Sequence, residues 1–516
     1  MNRPPGTSRE VELKLELQES DRATLARHPW LREIGEGRAA TRTLESVYFD
    51  TAELSLWRKG LVLRVRSIGR RRILGVKTRG IERGGLVSRD ECEVALPAAA
   101  GAASLVSAIP DERLRRAVER AAGGKPLRPR VETHFRRTTR RLRHGNAEIE
   151  LALDVGEVRA GRRRIPIREV ELELLRGPTR ALYDVALRLS EDVTLRPATL
   201  GKAERGFRCL LGDEAKSSKS RRPEFPRGAS LEEVLGVVLG EGLRQIAANQ
   251  IAIERGSGAE GVHQMRVGVR RLRSALRLFR DQLPARETKA LSSELRWLAR
   301  ALGEARDLDV FLGELLEPLA GRRPRDRGLA ALQAAAERQR EKAYASVRRT
   351  VASDRYATLL LRLGRFVDGG GFRRRAGAEL ERPARPLAKK LLRRRAARVL
   401  RLGERLDELT APELHRLRIR AKRLRYATEQ LAPLLDPEEA KHAARRLSAL
   451  QDALGHLNDR AVAEELVKRL RPRTAGPEVA RAERFVSDFA ARSAARGRRR
   501  LERSWRRVAK LGAYWS

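Results

Sequence analysis

Acidic and basic side chains share one face of several short segments whose sequence alternates with period two. In an extended strand, successive side chains point to opposite faces, so Glu10, Glu12 and Lys14 project together. The alternation also groups Arg64 with Arg66, Glu91 with Glu93, Glu169 with Glu171 and Glu173, and Asp154 with Glu148 and Glu150. Carboxylates can hold divalent metals through oxygen, whereas guanidinium and ammonium groups can hold phosphates. These are the parts of metal-assisted phosphoryl transfer.

The strands that carry these residues allow two arrangements. An open sheet would expose the charged face to water, as most charged faces are. A closed antiparallel barrel would turn the charged faces inward, where they would line a polar lumen. The concentration of charge favours the barrel, because five strands carry carboxylates or guanidiniums on one face, with few of the Thr, Ser and Gln that are common on solvated sheets.

A second set of basic residues occurs in two copies of an internal repeat in the C-terminal half. The chain from Val262 to Val310 aligns without a gap with the chain from Leu414 to Val462, at a constant offset of 152 residues. On helices each copy forms one basic stripe: His263, Arg266, Arg270, Arg273 and Arg277 in the first, and His415, Arg418, Lys422 and Arg425 in the second. Each stripe lies beside an apolar seam, so we expect the bases to flank a groove between packed helices.

The basic stripes have a plain alternative, since a charge run is usually a solvated helix face. The two histidines could likewise satisfy only a backbone or carboxylate group. Two observations favour a bound polyanion. Residues 261–280 contain no acid to offset like-charge repulsion within that stretch, and the arrangement occurs twice. We interpret Asp307 and Asp459 as structural residues that orient arginines of the stripes.

The composition also favours a polyanionic partner. A chain of 516 residues is expected to form two to four domains, and 111 Lys+Arg against 68 Asp+Glu give a net charge of +43. Nucleic acid, an anionic membrane surface and inorganic phosphate polymers could balance this charge. The aromatic content of 4% favours a ligand without bases.

Other features of the composition exclude several classes of protein. Cys92 and Cys209 provide neither a disulfide framework nor a zinc site. The N-terminal segment lacks the apolar core of a signal peptide, and no apolar run of about 18 residues predicts a membrane span. We therefore predict a cytoplasmic protein that does not insert into membranes.

Two kinds of pattern divide the chain into domains. Period-two segments run from Glu10 to about Cys209, whereas the sequence is helical in character from Ser230 onward, where Ser230 and Glu233 predict a capping box. We predict a multi-domain chain: an N-terminal α+β domain at 5–210, an exposed linker at 211–228 and an all-α domain at 229–516, with repeats at about 230–368 and 386–516.

The N-terminal domain resembles the CYTH domains, the triphosphate tunnel metalloenzymes. Its first strand carries EVELK at 10–14, which is similar to the Glu-x-Glu-x-Lys signature of that family. Seven further segments support the resemblance: YFDT at 48–51, LVLRVR at 61–66, GVKTRG at 75–80, SRDECEV at 88–94, ALDVGEV at 152–158, EVELEL at 169–174 and KAERGF at 202–207. The resemblance implies an eight-stranded antiparallel β-barrel tunnel whose lumen binds a triphosphate with Mg²⁺ or Mn²⁺.

The resemblance also implies roles for individual residues. Metal ligands would be Glu10, Glu12, Glu169 and Glu171, with Asp154 assisting. Phosphate oxygens would be held by Lys14, the candidate catalytic residue, and by Arg64, Arg66, Lys77, Arg136 and Lys202. Arg137 follows Arg136, so the register of the lumen arginine is open by one residue, and Gly201 stands where family members commonly have Ser. Family members act on inorganic triphosphate, thiamine triphosphate, RNA 5′-triphosphate ends or ATP.

The helical half resembles the CHAD family, the conserved histidine α-helical domain. The resemblance rests on VHQMRVGVRRLRSALRLF at 262–279, ALGEARDLDV at 301–310, LHRLRIRAKRLRYATE at 414–429 and ALGHLNDRAV at 453–462. It implies two pseudo-symmetric four-helix bundles that bind inorganic polyphosphate through both stripes.

The two resemblances together predict a metal-dependent inorganic triphosphatase that forms diphosphate and phosphate and carries a polyphosphate-binding domain. Association with polyphosphate granules in the cytoplasm would follow. Two alternatives stay open at this point: a non-catalytic protein that only binds polyphosphate, and a helical domain that binds nucleic acid.

Overall fold

The alternating segments form strands in the computed structural model. It describes residues 7–78, 80–97, 100–213, 216–226, 228–256, 258–375, 377–470 and 477–515, with the backbone alone for 7–9, 81–82, 456–464 and 490–497. The strands of this described part are β1 (Thr7–Leu17), β2 (Gly35–Asp50), β3 (Leu61–Ile68), β4 (Arg71–Thr78), β5 (Ile81–Arg83), β6 (Leu86–Leu96), β7 (Arg128–His144), β8 (Ala147–Ala160), β9 (Arg163–Arg176) and β10 (Leu195–Pro197).

Eight of these strands close into an antiparallel barrel. Their order is β1, β9, β8, β7, β2, β3, β4 and β6, and β6 pairs back to β1. The ring closes because the first part of β1, Thr7–Leu13, pairs with β6, while Glu12–Glu16 pairs with β9. The short strands β5 and β10 add to β6 and β1. The predicted barrel is therefore confirmed.

Helices pack against the barrel and cover apolar side chains of its strands. These helices are α1 (Arg22–Ala26), α2 (Pro29–Glu33), α3 (Ser55–Arg58), α4 (Glu112–Ala122), α5 (Arg180–Leu189) and α6 (Lys202–Leu211). Leu13 and Leu15 pack with α5, and Leu63 and Val65 pack with α4. Since these apolar faces point outward, the charged faces of the same strands point into the lumen. Helix α6 instead packs on Val131 and Val158, which lie on the lumen faces of β7 and β8.

The regular elements described from Leu231 onward are helical, as predicted. They are α7 (Leu231–Ala248), α8 (Gln250–Arg255), α9 (Ala259–Leu278), α10 (Ala285–Ala301), α11 (Gly303–Val310), α12 (Glu317–Arg322), α13 (Arg327–Val351), α14 (Asp354–Val367), α15 (Ala384–Gly403), α16 (Ala411–Leu431), α17 (Pro437–Leu470) and α18 (Pro477–Ala509). The capping box is confirmed, because Ser230 N–H donates to Glu233 at 2.8 Å and Glu233 N–H donates to the Ser230 hydroxyl at 3.2 Å.

In the second repeat, long helices that are consecutive in the sequence pack against one another. Helix α15 packs on α16, α16 on α17, and α17 on α18, while α9 packs against α10, α11 and α16. The arrangement as two four-helix bundles stays a prediction. Within the described residues, no helix has the length and apolar character needed to cross a bilayer.

The chain folds into two compact units, and the first limit between them falls after residue 217, within the predicted linker at 211–228. The first contains residues 1–217 with 247–256 and 352–371, and the second contains the rest. Helix α14 joins the barrel because Leu361 enters the apolar cluster beneath β1 and α5. Gly364 lies so close to Tyr183 that a Cβ there would be 2.3 Å from the ring. Periodicity reveals that α14 is amphipathic but not which of the two units covers its apolar face.

Candidate functional site

The lumen of the barrel holds a cavity of about 310 Å³ whose walls are mostly charged. Its acidic lining includes Glu10, Glu12, Glu91, Glu93, Glu171 and Glu173, and its basic lining Lys14, Arg64, Arg66, Lys77, Arg89, Arg137 and Lys202. The charged faces of β1, β3, β4, β6, β7 and β9 thus meet in one enclosed space. The inward orientation predicted from the alternation is confirmed.

Three buried carboxylates converge at one wall of the lumen. Asp154 on β8 stands directly opposite Glu169 on β9, and Glu171 follows two residues later. One oxygen from each lies within 4.8 Å of the others. Carboxylate oxygens are the ligands that Mg²⁺ and Mn²⁺ prefer, so this donor set fits such an ion.

Lys202 lies among the same three carboxylates. Its Nζ is 2.8 Å from Asp154, 2.6 Å from Glu169 and 2.7 Å from Glu171. The residue opens α6, directly after Gly201, and so reaches the lumen from the start of a helix. Burial acts to lower the pKa of Lys202, but Asp154 and Glu171 outweigh burial and raise it. The ammonium therefore stays charged.

Two arginines support this carboxylate cluster: Arg137, the alternative to Arg136 that the sequence left open, and Arg205, which was not predicted. Arg137 donates two hydrogen bonds to Asp154, at 2.7 and 2.6 Å, and a third to Glu171. Arg205 on α6 donates to Glu169. Burial alone would lower the pKa of Arg137, yet Glu171 and Asp154 raise it well above its usual range.

The prediction for Arg136 is wrong by one residue. Phe135 and Arg137 both line the cavity, and because side chains alternate along β7, Arg136 lies on the outer face and is exposed. Arg205 could have been found from its spacing, since a residue three positions after Lys202 lies on the same face of a helix. Arg89 is two residues before Glu91, so the period-two rule places it in the lumen as well.

The signature on β1 is held by ion pairs across the lumen. Lys14 Nζ lies 2.9 Å from Glu12 and 3.4 Å from Glu171, and thereby links β1 to the carboxylate cluster. Burial would lower the pKa of Lys14, but Glu12 and Glu171 raise it. Glu10 pairs with Lys77 and Arg89, each at 3.1 Å. Although burial would raise the pKa of Glu10, these two cations lower it.

Basic side chains crowd the opposite wall and retain free donors. The Nε–H groups of Arg64 and Arg66 are buried and have no hydrogen-bond partner within the described part of the chain. Burial, then Arg64, lowers the pKa of Arg66, and burial, then Arg89 and Arg64, lowers the pKa of Lys77. Unsatisfied buried donors beside repelling cations are expected where an anion binds.

Glu173 is a further lumen residue to which the sequence assigned no role. It stands directly opposite Glu12 on β1 and Glu150 on β8. Burial, followed by Glu10 and Glu12, raises the pKa of Glu173 to about 7. The carboxylates around Glu173 repel its charge, and a cation beside Glu173 would relieve this repulsion.

In the helical unit, the two basic stripes meet where α9 packs against α16. The central cluster consists of Arg266 and Arg270 from the first copy with Arg418 and Lys422 from the second. Burial, then Arg270 and Arg418, lowers the pKa of Lys422 to about 7. The Nε–H group of Arg270 is buried and has no hydrogen-bond partner among the residues that the structure describes. Equivalent positions of the two copies thus converge, as the groove prediction requires.

The other stripe residues lie outside the central cluster. Arg425 pairs with Glu429 at 3.0 Å and with Gln451 at 3.1 Å. His415 is exposed, whereas His263 is half-buried, and burial, then Arg306, lowers its pKa. Arg273 and Arg277 lie further along α9, at the end nearer Arg423.

The structural role predicted for Asp307 is confirmed. Arg266 donates to Asp307 at 3.3 Å and to the carbonyl oxygen of Gly303 at 3.0 Å, so this arginine of the central cluster is oriented by the start of α11. Asp459, its counterpart in the second copy, has a side chain outside the described part of the chain.

Comparison with known proteins also divides the chain into an N-terminal and a C-terminal part. The family model of the CYTH domain matches residues 8–207 and that of the CHAD domain matches residues 237–468. The crystal structure of the CHAD domain from the plant Ricinus communis is 30% identical, with a TM-score of 0.50, and the match covers 58% of this chain and 98% of that one.

Two curated relatives are also similar. An inorganic triphosphatase from Haemophilus influenzae is 30% identical over 173 residues, which are 33% of this chain and 46% of that protein, so the match spans less than half of the relative. An uncharacterized protein from Mycobacterium tuberculosis is 27% identical over 455 residues, 83% of this chain and 82% of its own length.

Proposed function

We propose that this protein, which belongs to the CYTH family through residues 8–207 and to the CHAD family through residues 237–468, is a metal-dependent inorganic triphosphatase with a polyphosphate-binding domain. CYTH domains are metal-dependent enzymes that bind triphosphates in a tunnel. The observation that carries the proposal is the lumen, where the Asp154–Glu169–Glu171 cluster faces buried arginines that retain free donors.

The aromatic side chains of the lumen favour a compact anion over a nucleotide. Trp57 is stacked on Phe207 at 4.9 Å, and Phe135 lies beneath Lys202 at 5.3 Å and near Arg137 at 5.6 Å. Trp57 and Phe135 thus each have a ring face against a protein group, which leaves less ring surface for a base to stack on. Inorganic triphosphate needs only charge and hydrogen bonds.

The proposed chemistry is hydrolysis of a phosphoanhydride bond. When held by Asp154, Glu169 and Glu171, a divalent cation supplies Lewis acidity and neutralises charge on the phosphates. Arg64 and Arg66 donate to phosphate oxygens through their free Nε–H groups. Carboxylates that raise the pKa of Lys14 keep its ammonium charged, so that it can stabilise the negative charge of the transition state.

The central cluster is the proposed polyphosphate site. Burial together with neighbouring cations lowers the pKa of both Arg270 and Lys422, which means that these charges repel one another. A polyanion would relieve the repulsion and satisfy the free donor of Arg270. The contribution of both copies to one cluster favours this interpretation over two solvated faces.

A substrate panel on the purified full-length protein tests the proposed activity. We expect inorganic triphosphate to be hydrolysed faster than ATP, thiamine triphosphate or long-chain polyphosphate, and only with Mg²⁺ or Mn²⁺. Phosphate release would be followed for each substrate with either metal or with a chelator. Release that persists in the chelator, or a preference for ATP, would contradict the proposal.

A further inference from the structure

The two repeats differ beside the central cluster in a way that their sequences make plain. At the constant offset of 152 residues, Arg271 corresponds to Arg423 and Arg277 corresponds to Glu429. The central cluster therefore has a carboxylate on one side and a guanidinium at the corresponding position on the other. We call the side with Glu429 the paired flank, because its arginines have a carboxylate partner, and the side with Arg277 the unpaired flank.

On the paired flank, acids are interleaved with the basic residues. Glu429 lies 3.0 Å from Arg425 and 3.7 Å from Arg271. The nearby Lys441 pairs with Glu438 at 3.1 Å. These side chains line a surface pocket. Arg221 and Arg222 of the linker line this pocket too and add positive charge, but Glu429 and Glu438 also line it.

On the unpaired flank, arginines of α9, α15 and α16 meet, and Arg280 beside them pairs with Asp281 at 3.2 Å. Helix α15 contains eight basic residues and no acidic one. Burial, then Arg398, Arg423, Arg280 and Arg277, lowers the pKa of Arg395 to about 10. In the described part of the chain, no ion pair is formed by Arg277, Arg395, Arg398 or Arg423.

Arg395 and the neighbouring Arg420 donate hydrogen bonds to backbone oxygens. Arg395 donates to the carbonyl of Leu391 at 3.4 Å, and Arg420 donates to the carbonyl of Arg398 at 3.0 Å. Such bonds orient the side chains but leave their charge uncompensated. Like charges gathered in a partly buried place cost folding free energy, and such a cost is commonly retained where binding requires it.

The unpaired flank is close enough to the central cluster for one ligand to reach both. Arg270 and Arg277 lie seven residues apart on α9, which corresponds to about 10 Å along the helix axis. The same face of α9 therefore leads from the central cluster to the arginines of α15.

We propose that the unpaired flank, formed by Arg277, Arg395, Arg398 and Arg423, is a second anion subsite, over which a polyphosphate chain seated on the central cluster extends. The inference rests on the proposed polyphosphate binding and adds a site to it. The ligand is inorganic polyphosphate, because the subsite offers guanidinium groups and no aromatic ring for a base to stack on.

The test compares full-length variants in the binding of labelled long-chain polyphosphate at several salt concentrations. We expect Arg395→Gln with Arg398→Gln to weaken binding about tenfold and to reduce the slope of log K against log salt by about two. The matched control is Arg271→Gln on the paired flank, which should change affinity less than about twofold because Glu429 already neutralises it. Without polyphosphate, the double variant should melt at the same temperature as the wild type or higher, since repulsion is removed.

The outcomes separate the subsite from the proposed function. If the double variant binds with unchanged affinity and slope while Arg270→Gln with Lys422→Gln abolishes binding, the subsite is wrong and the polyphosphate function stands. A wild-type protein that fails to bind polyphosphate overturns both. Displacement of polyphosphate by duplex DNA at equal phosphate concentration would overturn the assignment of the ligand.

Discussion

Replacement of Glu10 and Glu12 together by glutamine is expected to lower phosphate release from inorganic triphosphate by about a thousandfold. Glutamine keeps the size of the side chain and removes the charge. The change removes two carboxylates from the lumen, and Lys77 and Arg89 lose the carboxylates that they contact at 3.1 Å. Initial rates with Mg²⁺ measure the loss.

Two controls show that the loss belongs to the lumen. Arg136→Gln changes an exposed guanidinium on the outer face of β7 and should leave the rate within about twofold of the wild type. The Glu10/Glu12 variant should still bind long-chain polyphosphate, which also reports that the chain has folded. If that variant hydrolysed triphosphate at the wild-type rate, the enzymatic role of the barrel would be wrong and only a binding function would be left for the protein.

Replacement of Arg270 and Lys422 together by glutamine is expected to weaken polyphosphate binding about a hundredfold. Both residues lie in the central cluster, where the two copies of the repeat contribute equivalent positions. Hydrolysis of triphosphate should be retained, because neither residue lines the lumen. Titration of the full-length variant with polyphosphate provides the affinity, and wild-type affinity would show that the cluster is not the binding site.

The pH dependence of binding follows from Lys422. Its pKa of about 7 means that much of the ammonium is neutral above that pH in the free protein. A bound polyanion raises the pKa, so binding takes up a proton and the affinity falls as the pH rises above 7. Lys422→Arg stays charged throughout and should remove this dependence between pH 7 and 9. Equal pH profiles for the wild type and Lys422→Arg would argue against the role of Lys422.

The barrel could be predicted because charged and apolar residues alternate regularly along its strands. The alternation shows which side chains of a strand face the lumen and which face outward. The signature residues Glu10, Glu12 and Lys14 fell where the pattern placed them. A pair of adjacent arginines breaks the alternation, and the choice between Arg136 and Arg137 required the register of β7 against β8, in which Arg137 stands opposite Asp154.

Long-range packing accounts for what the sequence did not reveal. That Glu173 meets Glu12 and Glu150 depends on which strands are neighbours in the closed ring, and no local pattern contains this information. The exchange of α14 into the first unit depends on the fit between Gly364 and the ring of Tyr183. In the helical unit the duplication predicted a shared groove, but only the fold places Arg395 of α15 beside Arg277 of α9.

The central claim is that the lumen holds a divalent cation together with a triphosphate. Anomalous diffraction from crystals soaked with Mn²⁺ and a non-hydrolysable triphosphate analogue tests it most directly. We expect a manganese peak at ligand distance from the tunnel carboxylates, with Glu171 among them, and phosphate oxygens against Arg64 and Arg66. A lumen without manganese, with the analogue bound only to the helical unit, would contradict it.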